Sequence, residues 1–204
     1  MRILVCLILL LSVACTAFAA SAPEQAVRNA QRAIDTKNAD LFDQVVDTQS
    51  ILDAATDMLL AEADKPDGRL PPMLSLMISS IKDSHALAGL RALIAQEARA
   101  FVNYGVLSGS FAGKPDHSIR PGGMLAPLFS DASLGRKELR VAGPASPIGQ
   151  EQNLLPVELK DHGNGHTYPL LLRLRWTPPD WRIMEVVNLP DIWNQIRSEA
   201  EAQR

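Results

Sequence analysis

Apolar and polar positions alternate along the C-terminal third of the chain, from Leu154 to Asn188, and this two-residue period predicts a three-strand antiparallel meander. Leu155, Val157 and Leu159 are set against Glu158 and Lys160. Asp161-His162-Gly163-Asn164-Gly165 then supplies the residue types that tolerate positive φ and turn the chain. Tyr168, Leu170, Leu172, Leu174 and Trp176 share one face of the next strand, with Arg173 and Arg175 on the other. Two successive prolines in Thr177-Pro178-Pro179-Asp180 remove two ladder donors and end it. In the last strand Trp181, Ile183, Glu185 and Val187 alternate with Arg182, Met184, Val186 and Asn188. Leu139 and Val141, against Glu138 and Arg140, predict one more strand over Arg136 to Ala142.

Before Gly105 the period is helical. Pro23 to Ile34 predicts a covering helix with a narrow stripe of Ala26, Ala30, Ala33 and Ile34. Asn38 caps a short helix over Ala39 to Val46, with Leu41, Phe42, Val45 and Val46 on one side. Asp47 or Thr48 caps a third helix to about Ala63, with Ile51, Leu52, Ala55, Leu59 and Leu60 inward. Asp64 to Gly68 ends it. Pro71 and Pro72 open a fourth helix through Met73, Leu74, Leu76, Met77, Ile78 and Ile81, and Ser84 caps a fifth that reaches roughly Tyr104. The stretch Gly105 to Gly135, rich in Gly, Ser and Pro, reads as a long connection with one apolar cluster at Met124, Leu125, Leu128 and Phe129. A helical turn or two is expected over Gly123 to Phe129. A connection of this length is the first place to look for a lid or a binding edge. From Pro190 a charged helix offers Ile192, Trp193 and Ile196 to the sheet, and its polar last turns, Ser198 to Arg204, are expected to fray.

Helices first and strands afterwards predict an α+β fold, with N-terminal helices packed on a curled, mainly antiparallel four-strand sheet formed by the C-terminal half. The expected organisation is one domain over 20–204: helical 23–104, loop 105–135, sheet 136–189 and C-terminal helix 190–204. Residues 1–19 read as a signal peptide, because Arg2, the apolar run Ile3 to Val13 and Ala17-Phe18-Ala19 supply the charged start, short apolar segment and small-residue cleavage site. The run is too short for a membrane-spanning helix, which needs about 20 residues, so the mature chain is expected in the periplasm or secreted. The alternative is lipid attachment at Cys15, where Leu11-Ser12-Val13-Ala14-Cys15 looks like a lipoprotein processing box with Ser12 in place of the usual leucine.

Cys6 and Cys15 are the two cysteines, and both lie in this leader. That excludes disulfides, a thiol nucleophile and a zinc thiolate site from the domain. A formal charge of −3 gives no basic footprint for nucleic acid.

Ala33-Ile34-Asp35, Asp40-Leu41-Phe42, Val45-Val46-Asp47 and Ile51-Leu52, together with the ending Trp181 to Leu189, resemble secreted bacterial proteins of the nuclear-transport-factor-2-like, cystatin-related group. The resemblance covers roughly Pro23 to Leu60 and Leu154 to Leu189. It implies helices packed into the concave side of a strongly curled sheet, in a group that holds isomerases, dehydratases and many non-catalytic binding or assembly domains. Fold alone does not choose among these.

The candidate chemistry is sparse. His162 and His166, with Asp161, could share a metal across the hairpin; the plainer alternative is a polar hairpin tip with solvated histidines. His117, in Lys114-Pro115-Asp116-His117-Ser118, has the residue types of a nucleophilic site around it, yet no Gly-x-Ser-x-Gly elbow stands nearby. Ser108-Gly109-Ser110 reads as a flexible loop. Asp35, Asp40, Asp47 and Tyr104 are candidates for a carboxylate and phenol in an apolar cone, although helix capping explains Asp35 and Asp47 without any reaction. Trp176, Trp181 and Trp193 could line an apolar ligand site or pack as core, and Arg173 and Arg175 could grip an anion or form a solvated face. The pair of helices from Pro71 to Tyr104, with Met73 and Met77, offers an adaptable apolar surface to a second subunit or to lipid.

These features predict an exported bacterial envelope protein serving as a non-catalytic binding or assembly module, with no cofactor and no transmembrane helix in the mature chain. Its expected partner is an envelope protein or a small apolar ligand, with a homodimer as an alternative. The rival functions are an isomerase- or hydrolase-like enzyme using a carboxylate or histidine in the cone, and a lipid-anchored structural lipoprotein.

Overall fold

A computed structural model describes residues 22–63, 65, 72–79, 83–120, 122 and 135–202. The leader over 1–19 with Cys15, residues Pro71 and Ile81, the side chains of Met73 and Leu74, and the turn expected over Gly123 to Phe129 lie outside the described residues. Among the described residues five helices come first: α1 (Pro23–Asp35), α2 (Ala39–Val45), α3 (Thr48–Ala63), α4 (Pro72–Ser79) and α5 (Ser84–Leu107). The strands follow as β1 (Lys137–Val141), β2 (Ser146–Pro147), β3 (Gln152–Asp161), β4 (Thr167–Thr177) and β5 (Asp180–Val186), and α6 (Leu189–Ala202) completes the fold. The result is an α+β fold with N-terminal helices on a curled antiparallel sheet of order β1-β3-β4-β5.

The two-residue β2 shares the β3 edge with β1. The break between them falls opposite Pro156, which has no N–H to leave unpaired, and the ladder narrows there to Ala142 N donating to Pro156 O at 2.9 Å. The expected meander of β3, β4 and β5 is present. Its pairing slips between Arg173 and Leu174 of β4, so Leu174 faces Ile183 while Leu172 faces Val186. This bulge corrects the simple alternation expected for the last strand: beyond Met184 it is Val186 that packs on the core, and Glu185 turns outward beside Arg173.

The core lies between α1, α2 and the inner sheet face. Ala26, Val27 and Ala30 meet Val45, Val46, Leu155, Val157, Leu172, Leu174 and Ile183. Helix α1 is therefore central, not the covering helix that its narrow stripe suggests. Ala30 and Ala33 are fully buried, and such small side chains let a helix backbone approach a sheet closely. A second cluster joins it through Phe42 and Leu139 and holds Ile34, Val106 and Ala112. The third, Leu90 and Ile94 with Leu59, Met77, Ile78 and Leu93, ties α3, α4 and α5 together and, among the described residues, shares no member with the other two. The expected inward face of α3 is only half-buried. Its buried positions are Thr48, Thr56, whose hydroxyl donates to Leu52 O at 2.8 Å, and Glu62.

Side-chain caps set three of the described helix starts. Asn38 Oδ1 accepts from Leu41 N at 2.9 Å, and Asp47 Oδ1 accepts from Ser50 N at 3.1 Å. The cap of α5 is Asp83, which accepts from Ala86 N at 2.8 Å, and not Ser84. Helix α5 also runs on to Leu107. Gly105 lies within it, where the Phe111 ring occupies the space a Cβ would need and Phe111 N donates back to Gly105 O at 2.9 Å.

The sheet closes its edges with side-chain amides. On β1, Leu139 N donates to Gln31 Oε1 at 2.7 Å while Gln31 Nε2 donates to Lys137 O at 3.4 Å. On β4, beyond the end of β5, Leu171 N donates to Asn188 Oδ1 at 2.8 Å and Asn188 Nδ2 donates to Pro169 O at 2.8 Å. In both places one amide replaces the peptide of a missing neighbour strand. On the far side Val46 bridges Ile183, and Asp47 N donates to Ile183 O at 2.8 Å, which covers β5.

Candidate functional site

The turn between β3 and β4 carries His162 and His166, and the sheet twist sends them to different neighbours. His162 Nε2 lies 2.9 Å from Glu138 Oε2 on β1, whereas His166 Nδ1 lies 3.3 Å from Glu199 Oε1 on α6. Asp161, the expected third ligand, faces Lys137 Nζ at 2.7 Å and accepts from Gly163 N at 2.9 Å. The three groups do not converge. Among the described residues no group of three or more His, Cys, Asp or Glu could hold a metal ion.

The His162 and Arg140 hydrogen bonds hold the Glu138 carboxyl at about 2, below its ordinary value of 4.5. A folded value below the unfolded one stabilises the protein above about pH 4.5, and that contribution is lost as the pH falls through about 2. Acid unfolding of the wild type should therefore show a component across this window that Glu138→Gln lacks. Parallel curves for the two proteins would reject the contribution.

On the α6 side, Tyr168 is buried and donates to Glu199 Oε2 at 2.8 Å while accepting from Asn164 Nδ2 at 2.8 Å. Burial, then the Glu199 bond, pushes its phenol up to about 12. Gln195 Nε2 donates to the other Glu199 oxygen at 2.9 Å. The polar end of α6, expected to fray, is thus held as far as Glu199.

The nucleophilic arrangement around His117 is not assembled. Asp116 Oδ1 accepts from Ser118 Oγ at 2.7 Å and from Ser118 N at 2.9 Å, bonds that hold its carboxyl below the usual range, while His117 is exposed. Ser108-Gly109-Ser110 is a buried turn, not a flexible loop, with its two hydroxyls 2.8 Å apart. Burial there follows from the packed turns after α5, where Asp116 N reaches back to Ser108 O at 2.6 Å.

The carboxylates proposed for the cone do not enter it. Asp35 is exposed and accepts from Gln31 Nε2 at 3.0 Å; Asp40 is exposed in the first turn of α2. Asp47 caps α3 and lies 4.0 Å from Arg182. Tyr104 is half-buried on α5.

Trp176 and Trp181 meet across the β4–β5 turn with ring centroids 5.5 Å apart at 56°, and Trp181 packs on the main core. Arg173 and Arg175 do not form a joint grip. Arg173 Nε is 2.9 Å from Glu185 Oε2, whereas Arg175 is exposed opposite Arg182, which donates to Asp43 O at 3.1 Å.

What remains is a surface. The α3–α5 layer buries Leu90 and Ile94 and leaves Leu76 69 % and Leu87 39 % exposed, with Ala86, Ala88, Gly89 and Ala92 also open to solvent. An Arg91–Asp57 ion pair joins α5 to α3 beside it. No described helix is long and apolar enough to cross a membrane. The residues that sequence reasoning missed are Gln31, Asn188, Gln195 and Glu62, polar side chains whose partners lie far away in the chain.

No protein-family model matches the chain, and no curated protein and no solved structure matches it.

Proposed function

We propose that the chain is a non-catalytic binding or assembly module of the bacterial envelope, presenting the apolar outer face of α4 and α5 to a protein partner. The observation that carries this reading is the exposure of Leu76 at 69 % on α4, with Leu87, Ala88, Gly89 and Ala92 of α5 exposed as well. Single exposed leucines are ordinary, but several exposed apolar residues on a helical layer outside the main core support an interaction surface. The leader pattern of residues 1–19 supports the compartment. The placement of α1 and α2 on the inner face of a curled sheet supports the nuclear-transport-factor-2-like architecture that forms part of the proposal.

The test is site-specific photocrosslinking in the envelope of cells that make the protein. A photoreactive residue at Leu76 or Leu87 should give one discrete adduct, and the same residue at exposed Glu158 of β3 should give none. An adduct of twice the chain mass would identify the partner as a second copy. Equal labelling from Glu158, or no adduct from either leucine, would reject the proposal.

A further inference from the structure

Helix α6 is attached to the sheet in an unusual way. None of its described residues is buried, and none belongs to the three apolar clusters. Its outer apolar residue Ile196 is 43 % exposed. Polar side chains hold it instead. The Asn188 amide enters the β4 ladder at Pro169 and Leu171, Gln195 Nε2 donates to Thr167 O at 3.2 Å, and Glu199 takes the Tyr168 hydroxyl. Arg197 reaches Glu62 of α3 at 2.9 Å. One group loses by this docking: Trp193 Nε1 is shielded from water with no hydrogen-bond partner among the described residues. Undocking would return that donor to water.

Beneath α6 lies the edge of β4 from Thr167 to Leu171. Leu171 O takes the last backbone bond of the β4–β5 pairing, from Val187 N at 2.8 Å; beyond it Leu171 N, Pro169 O and Thr167 O are met by side chains standing in for a strand, and such substitutes can be exchanged for a real one. We propose that α6 is a removable cover over a strand-accepting edge, and that its undocking admits an extended peptide segment beside Thr167 to Leu171 as an additional strand. The missing N–H of Pro169 disfavours one occupant, a second copy paired symmetrically at that residue. At that position the edge accepts through Pro169 O and donates nothing, so the incoming backbone must supply an N–H there without needing a donor in return. Two copies pairing edge to edge around Pro169 would each lack that donor. The edge therefore suits a foreign segment better than a second copy. This site is separate from the apolar face of α4 and α5, and its failure would leave the proposed function untouched.

Amide hydrogen exchange on the full chain tests the cover. Residues 189–202 and the Leu171 amide should exchange together, about 100-fold faster than Leu155 to Leu159, through an opening that leaves the core folded. Asn188→Ala should accelerate both groups by about 10-fold without changing the core amides, and the milder Gln195→Ala should do so to a smaller degree. Exchange of α6 at the same rate as the core, or equal acceleration of all amides in both variants, would overturn the cover. The edge is probed by titrating the Asn188→Ala protein with an alternating Thr-Val peptide and with its backbone N-methylated form. Shifts at the 167–171 amides with the first peptide alone support strand addition. Shifts with both, or with neither, overturn it.

Discussion

Leu174→Ala is expected to lower the unfolding free energy by about 3 kcal/mol, within the range for truncating a fully buried leucine. Leu174 has no exposed surface and faces Ile183 across the β4–β5 pair, in the cluster that also holds Ala26, Val27 and Ala30 of α1. Strand and helix backbones fix the walls of this site, so the lost side chain leaves a cavity that they cannot easily collapse into. Urea unfolding should show a lower midpoint with an unchanged slope. Leu76→Ala, on the exposed face of α4, should change stability by less than about 0.5 kcal/mol. A loss below about 1 kcal/mol for Leu174→Ala would mean that the interior is loosely packed, against the burial observed.

Removing the Asp161 carboxylate should be nearly as severe. Asp161 is 6 % exposed and its partner Lys137 has a side chain only 15 % exposed, with the ammonium 5.5 Å from the centre of the Phe111 ring. Burial pulls the Lys137 ammonium below its ordinary pKa, and the Asp161 bond opposes that pull. Asp161→Ala therefore removes the carboxylate facing a poorly hydrated cation and frees Gly163 N at the hairpin, for an expected loss of about 3 kcal/mol. Replacing both partners, as Lys137→Met with Asp161→Leu, should recover at least half of that loss, because the buried cation leaves together with its carboxylate. A double variant no better than Asp161→Ala would show that the hairpin bond to Gly163, not the ion pair, is what matters.

The elements that were legible in the sequence are those fixed by near neighbours. The alternation from Leu155 to Trp176 placed the strand faces, Pro178 and Pro179 placed the turn, and Asn38 and Asp47 placed two caps. Asp83 displaced Ser84 as a cap because adjacent polar residues compete for the same amides, and local pattern does not rank them. The bulge beside Met184 was hidden because alternation carries no mark of an inserted residue. Gln31 was invisible for a different reason: its partners on β1 are more than one hundred positions away, and a surface helix glutamine looks the same whether or not it plugs a sheet. The candidate site followed the same division. The apolar excess of α4 and α5 showed in composition, whereas His162 and His166 looked like a pair only because sequence spacing ignores which way a hairpin sends its side chains.

The separate apolar cluster of Leu59, Met77, Leu90 and Ile94 has a consequence for how this protein can change. Substitutions in distant clusters that share no member have additive effects, so the cost of a change at Leu174 or Ala30 is the same whether or not Ile94 is altered. Changes in the α3–α5 cluster can therefore be measured on their own, without altering what the alanine-lined seat of α1 on the sheet contributes.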